Sequence, residues 1–308
     1  MPILEVENLS VSFKQYNAGF KQIHNQVISS LNITLEAGEI LAVVGASGSG
    51  KSLLAHAILG ILPSNASTSG TIKYKGEILT PARQEALRGT EIAIVPQSVS
   101  FLDPLMRVGK QVRTSVKGSE DPTTIQRKVF ERYRLCEEDE TLYPFQLSGG
   151  MARRVLLSTA MVSGAKLIIA DEPTPGLDPI VMKEALQNIR EFADNGRAVM
   201  FITHDIESAL QIADKIAVFY AGSTVEIAPV KNFKNQGEAL RHPYTKALWR
   251  ALPQNEFIPI PGSQPQSSEL PTGCLFAPRC PIATTECHEK HPEARELRDG
   301  MVRCIHAN

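Results

Sequence analysis

The feature that most constrains this chain is the octapeptide GASGSGKS, Gly45 to Ser52, set between the apolar run EILAVVGA and the helix-patterned KSLLAHAILGIL. It fits G-x-x-x-x-G-K-[ST] in the context that gives that pattern meaning, a buried strand before it and a helix after it. The glycines let the backbone curl so that Gly45, Ala46, Ser47, Gly48, Ser49 and Gly50 present a nest of N–H groups at a helix N-terminus, where the peptide dipoles favour an anion. Lys51 then reaches the β and γ phosphates of a nucleotide, and the Ser52 hydroxyl is placed to ligate magnesium. A Gly/Ser-rich turn with a coincidental Lys-Ser would explain the letters but not the flanking elements.

The flanks extend into an α/β pattern. ILEVENLSVSF alternates like a half-buried strand, and SSLNITLEAGEI reads as a second strand with a Gly turn. KLIIADEP and AVMFITHD are two further β-rich runs, with VMKEALQNIREFADNG as a helix between them. Asp178 is the expected N-cap, Pro179 the first helical position and Gly196 the stop. Strand, helix and strand in alternation imply a parallel sheet. Between about 95 and 159 the pattern turns helical and charged, which predicts an inserted helical subdomain.

LIIADE is an apolar strand ending in two carboxylates. Asp171 suits the magnesium-side acid of a phosphate-loop enzyme, and Glu172 suits a base that polarises the attacking water. A buried strand ending in two surface acids is not rare, so LSGGMARR, Leu147 to Arg154, about twenty residues upstream, decides the reading. In this order and spacing the motifs resemble the ATP-binding cassette family, over roughly residues 3–233.

That resemblance implies a cassette fold: a RecA-like parallel sheet core with an antiparallel β subdomain and a helical subdomain, spanning 1–235. It implies ATP and Mg2+ as ligands, with Lys51, Glu172 and His204 catalytic. Gln97, in VPQS, becomes the loop glutamine that senses magnesium, beside Ser52 and Asp171, and His204, in FITHD, the switch histidine. Phe13 is the candidate adenine platform, with Tyr16 the alternative. Ser148, Gly149 and Gly150 form a second anion nest, acting in trans on the ATP of an opposing cassette in a head-to-tail dimer, with Asp178 at the interface. Met151 and Arg153 stand where the family commonly has glutamines, and Pro175 and Gly176 replace the usual small residues before Leu177 and Asp178.

RHPYTKALWRALP and the cysteine-bearing stretch after it resemble the C-terminal extension of peptide and nickel importer ATPases, placing that extension at 236–308. The resemblance implies two membrane permeases, a second ATPase subunit and an extracytoplasmic solute-binding protein. The cargo is expected to be di- or oligopeptides, with nickel or a metal chelate the alternative. SVSFLDPLM, after Gln97, is the expected permease-facing surface. A cassette ATPase acting on nucleic acid or ribosomes is the rival class. The long coiled-coil or zinc-finger insertions of the first and the second cassette of the second are not found, so no nucleic-acid partner is expected.

Compartment bears on the cysteines. The longest apolar stretch, Leu53 to Leu62, falls short of the ~20 residues that span a bilayer, and MPILEVENLS lacks a basic segment followed by an apolar one. The expectation is a peripheral protein on the cytoplasmic face of the membrane, where structural disulfides are rare. With 32 basic and 33 acidic residues the chain has no bulk pull toward polyanions. A proline-rich linker runs from Pro253 to Pro271, and the segment beyond it looks too short to fold without a staple. There Cys274, Cys280, Cys287 and Cys304 are spaced unlike the C-x-x-C pairs of structural zinc sites, yet four thiolates suffice for an iron–sulfur centre. The resemblance favours a 4Fe-4S cluster, with zinc the alternative. Cys136 stands apart as an ordinary thiol.

Overall fold

Two sheets organise the chain, and the phosphate loop rises from the middle of the larger. In a computed structural model that describes residues 2–16 and 22–308, β1 (Leu4–Tyr16) and β2 (Gln22–Leu35) pair antiparallel, and β3 (Ile40–Gly45) leads through the loop into α1 (Lys51–Leu59). Next come β4 (Ala66–Tyr74), β5 (Glu77–Ile78), α2 (Pro81–Leu87) and β6 (Ile92–Val95). A helical excursion, α3 (Val108–Ser115), α4 (Pro122–Arg132) and α5 (Gly149–Val162), precedes β7 (Leu167–Asp171). The chain continues through α6 (Pro179–Asp194), β8 (Ala198–Thr203), α7 (Ile206–Ile212), β9 (Lys215–Tyr220) and β10 (Ser223–Pro229). Last are α8 (Pro243–Arg250), α9 (Thr285–Glu289), β11 (Arg295–Glu296) and β12 (Met301–Val302).

The smaller sheet has the order β2-β1-β4-β5 and the larger β11-β12-β10-β9-β3-β8-β7-β6. β3 runs parallel to both β8 and β9, β8 to β7, and β7 to β6. The loops after β3, β6, β7 and β8 therefore leave from one edge, the carboxyl ends where open parallel sheets bind ligands. Strand periodicity divides the interior. Ile40, Ala42 and Val44 of β3, with Val199 and Phe201 of β8, face the core built with α5, α6 and α7. Leu41 and Val43, with Ala198, Met200 and Ile202, face α1 and the smaller sheet. Each central strand is thus apolar on both faces, as a sheet covered on both sides requires.

Local signals behave as their chemistry dictates. The Asp178 carboxylate accepts from the N–H groups of Ile180 and Val181, both at 3.1 Å, and Pro179 opens α6. Gly196 lies just beyond the end of α6. Gly222, in the turn between β9 and β10, has no room for a side chain: a Cβ there would lie 2.1 Å from the Val27 carbonyl. That approach lets Gly222 O accept from Ser29 N at 2.9 Å, fastening the hairpin to β2 beneath the phosphate loop.

The tail is not self-contained. β12 pairs with β10, and β11 with β12, so the tail widens the main sheet at its antiparallel edge. Glu226 of β10 is fully buried and accepts from Arg241 N and Nε, both at 3.0 Å, and from His242 N at 2.9 Å. His242 caps α8, its Nδ1 accepting from Tyr244 N at 3.0 Å. Tyr220, Tyr244 and Phe276 then pack ring against ring, with centroids 4.5 to 5.3 Å apart. No regular element forms from Pro253 to Pro271. The staple expected of this short segment is in large part the edge of the sheet itself.

Candidate functional site

The apolar strand ends bring the sequence-predicted residues together at the carboxyl edge. A cleft of about 370 Å3 is lined by Ser47, Gly48, Gly50, Lys51, Ser52, Gln97 and Glu172, with Val27 and Leu53. Gly50 caps α1 at φ 97°, a left-handed conformation that lets the loop turn into the helix with its N–H groups inward. Lys51 is buried, its Nζ donating to Gly45 O at 2.8 Å and Ala46 O at 3.1 Å. Burial pushes its ammonium pKa down, against the opposing pull of the Glu172 and Asp171 carboxylates.

Asp171 closes β7 almost fully buried, and burial pushes its carboxyl up, partly offset by the Ser52 hydroxyl hydrogen-bonded to it. Asp171 Oδ1 and Ser49 Oγ are buried without a hydrogen-bond partner. Buried polar groups are ordinarily satisfied. The Asp171 carboxylate, with a spare lone pair and the Ser52 hydroxyl bonded to it, is a hard oxygen donor set that fits Mg2+.

Glu172 is the most constrained residue of the edge. Its φ is 48°, left-handed and costly for a residue with a side chain. Its N–H donates to Ile202 O at 2.9 Å. Its carboxylate lies 2.8 Å from His204 Nδ1 through Oε1 and accepts from Thr203 Oγ1 at 3.4 Å through Oε2. The His204 side chain is 57% exposed, so the pair joins a buried carboxylate to a largely exposed ring. Arg153 donates to the Glu172 carbonyl at 2.6 Å.

Other expected residues lie elsewhere. Ser148, Gly149 and Gly150 open α5 outside the cleft, and Ser148 Oγ accepts from Met151 N at 3.2 Å as an N-cap. The closest group to a Cβ on Gly150 would be Gly176 O, at 3.7 Å, so this nest neighbours the loop before α6. Phe13 is paired with Asn25 of β2 and Ala66 of β4 and packs against the core under the smaller sheet, not along the cleft. The side chain of Tyr16 lies outside the described residues. Leu102 is buried, whereas Val99, Phe101, Leu105 and Phe145 are exposed apolar residues.

The four tail cysteines are free and line one small cavity together with His242, Phe276 and His306. Cys287 Sγ lies 3.3 Å from His306 Nε2. Among the described residues, however, no group of three or more Cys, His, Asp or Glu side chains stands close enough to hold a metal ion. The expected 4Fe-4S cluster, and zinc, therefore have a converging donor set without a formed ligand cage. The thiols turn to one cavity but are not gathered to coordination distance.

Sequence reasoning missed three contacts: Arg153 on Glu172, the Glu226–Arg241 pair, and the approach of the proline-rich segment to the phosphate loop. Gln264, Pro265, Gln266, Ser267 and Leu270 share a cavity of about 360 Å3 with Ser47, Gly48 and Gly222. Only Arg153 carried a signal, as an arginine where the resembled motif has a glutamine.

Comparison with known proteins agrees with this geometry. Residues 28–175 match the ABC transporter family, and 225–287 match the C-terminal region of oligopeptide/dipeptide transporters. The chain is 34% identical to a putative peptide import ATP-binding protein of Brucella melitensis, over 94% of this chain and 91% of that protein. It is 33% identical to the dipeptide transport ATP-binding protein DppD of Escherichia coli, over 99% and 97%, and 32% identical to the oligopeptide transport ATP-binding protein OppD of Haemophilus influenzae, over 98% and 96%. Among solved structures, a dimeric ATP-binding cassette, MJ0796, in a post-hydrolysis state with ADP and phosphate superposes with a TM-score of 0.63 at 23% identity, covering 74% of this chain and 98% of that one.

Proposed function

The chain belongs to the ABC transporter family of ATP-hydrolysing cassettes and carries the oligopeptide/dipeptide transporter C-terminal region, and from that premise we propose that it powers peptide uptake. The observation that carries the catalytic part is the cleft in which Lys51, Ser52, Gln97 and Glu172 meet at one sheet edge. In this reading the Gly45–Ser52 loop and Lys51 hold the phosphates. Ser52, Asp171 and Gln97 would hold Mg2+, which would supply charge neutralisation to the transferring phosphoryl group. Glu172 takes the proton of the attacking water, and His204, hydrogen-bonded to that carboxylate, fixes its direction and faces the γ phosphate.

The nest at Ser148–Gly150 opens α5 away from its own cleft, which supports a role on the nucleotide of a second cassette. Asp178 and the exposed Ile180 lie beside it at the start of α6 and are assigned to that contact. Phe13, on β1, is assigned as the adenine platform. Among the described residues no helix is long and apolar enough to cross a membrane. The translocation path then belongs to two permease subunits, met through exposed Val99, Phe101, Leu105 and Phe145. An extracytoplasmic binding protein delivers cargo, and this chain sits on the cytoplasmic face.

The experiment is uptake by the co-expressed transporter in proteoliposomes, with labelled di- and oligopeptides against nickel chelates. ATP-dependent accumulation of peptide is expected; accumulation of nickel alone would move the cargo assignment to a metal. The shared thiol cavity supports a second, separate reading, that the tail holds a 4Fe-4S cluster once its cysteines draw together. Anaerobically purified protein with stoichiometric iron and acid-labile sulfide is expected, and colourless protein lacking both would end it.

A further inference from the structure

We infer that Arg153 is a positioning residue for the Glu172 carboxylate, tying the helix that carries the Ser148–Gly150 nest to this subunit's own hydrolytic centre. The inference rests on Glu172 being the base, as proposed above. Glu172 has one main-chain group pinned on each side of its Cα. Its N–H is held by Ile202 O at 2.9 Å, from β8, and its carbonyl by the Arg153 guanidinium at 2.6 Å, from α5. Between those two bonds the residue sits at φ 48°. A non-glycine residue stays in that region only where its surroundings over-determine it. The Arg153 bond is charge-assisted and part-buried, and charge-assisted bonds are the stronger of the usual hydrogen-bond classes.

The consequence for chemistry is directional. With both main-chain groups held, the Glu172 side chain is directed toward His204, which meets its carboxylate at 2.8 Å. Without the Arg153 bond the residue is free to relax toward ordinary backbone angles, swinging the carboxylate off the line of the attacking water. Displacements of about 1 Å at a reacting group cost on the order of 100-fold in rate. Arg153 also rides one turn beyond the nest on the same helix. Movement of α5 therefore loads or releases this one bond. Where the resembled motif commonly has a glutamine, the longer arginine here turns onto the main chain of its own subunit.

The test is the steady-state ATPase of the full-length chain in its co-expressed transporter, comparing the parent with Arg153→Met, Arg153→Lys, Arg153→Gln and Glu172→Gln. Arg153→Met keeps the apolar stem and removes the donor. Its kcat should fall roughly 10- to 100-fold with KM for ATP within about twofold of the parent. Lysine should retain at least about a third of parental turnover, because it still donates with charge. Parental kcat in the methionine variant, a raised KM at unchanged kcat, or a lysine variant no better than methionine would overturn the inference. Should the methionine variant precipitate, lysine exceeding glutamine in kcat supports it and equality refutes it. Glu172→Gln separates the two layers: if it is inert while Arg153→Met is parental, only the positioning role falls. If it turns over normally, the base assignment beneath falls.

Discussion

Two of the glutamates buried among the described residues, Glu226 and Glu172, lie toward opposite ends of one sheet and are held in opposite ways. Glu226, on the antiparallel edge, is fully buried and accepts from three N–H groups of a single neighbouring segment. Its partner Arg241 also reaches the carbonyl of Ile227, at 2.9 Å. Glu172, on the parallel side, sits at a left-handed φ, leans on a mostly exposed histidine, and directly follows Asp171, whose Oδ1 is buried without a partner. Satisfied burial is how a fold closes a seam. Unsatisfied, strained burial is retained where a substrate or ion completes the coordination, so the first glutamate reads as structural and the second as chemical.

The largest expected effect breaks this comparison on the chemical side. Glu172→Gln keeps shape and burial but removes the base, so turnover should drop about 10²- to 10⁴-fold. ATP affinity, measured by equilibrium binding of a fluorescent analogue, should stay within a few-fold of the parent. Next is Glu226→Ala, which leaves a buried guanidinium uncompensated. Loss of one partner from a buried pair costs about 3–5 kcal/mol, read as a lowered urea midpoint. Retention of the parental midpoint would show that Arg241 finds another acceptor and that the seam does not depend on this pair.

A smaller effect sharpens the structural side through pH. Complete burial pushes the His242 imidazole down to about 3 from its ordinary 6.5. Folded chains therefore keep it neutral where unfolded chains bind a proton. Its contribution is whole above about pH 6.5 and is lost as the pH falls toward about 3, because the unfolded state takes up the proton first. The parent's thermal midpoint should fall between pH 7 and pH 5. His242→Asn, which still offers an acceptor to Tyr244 N and cannot titrate, should show a shallower fall; equal slopes would remove His242 from the pH response.

These contrasts also explain what the sequence made legible. The phosphate loop, the LIIADE strand and the Asp178–Pro179 helix start are local: their chemistry is complete within a few residues, and the structure places them as their patterns imply. The meeting of Glu172 with His204 was hidden because it depends on β7 and β8 lying side by side, which no single segment encodes. The Glu226–Arg241 clip was hidden for a similar reason, since it needs α8 to approach β10. β12 spans two residues, too few for any periodicity, so the tail read as a separate stapled segment and not as an added sheet edge. Phe13 was legible as a strand aromatic, but its packing under the smaller sheet is set by the register of β1 with β2 and β4, which no single segment encodes. The cysteines were legible as a group, because their convergence on one cavity follows from their count and crowding, but coordination distances are not written in spacing.

The most direct test of the contrast measures turnover and unfolding on Glu172→Gln and Glu226→Gln side by side, at a temperature where both are folded. The expected result is a crossed pattern: Glu172→Gln loses turnover and keeps its unfolding midpoint, and Glu226→Gln loses midpoint and keeps turnover per folded molecule. A fully folded Glu226→Gln that has lost its ATPase, or a Glu172→Gln that hydrolyses ATP like the parent, would contradict it.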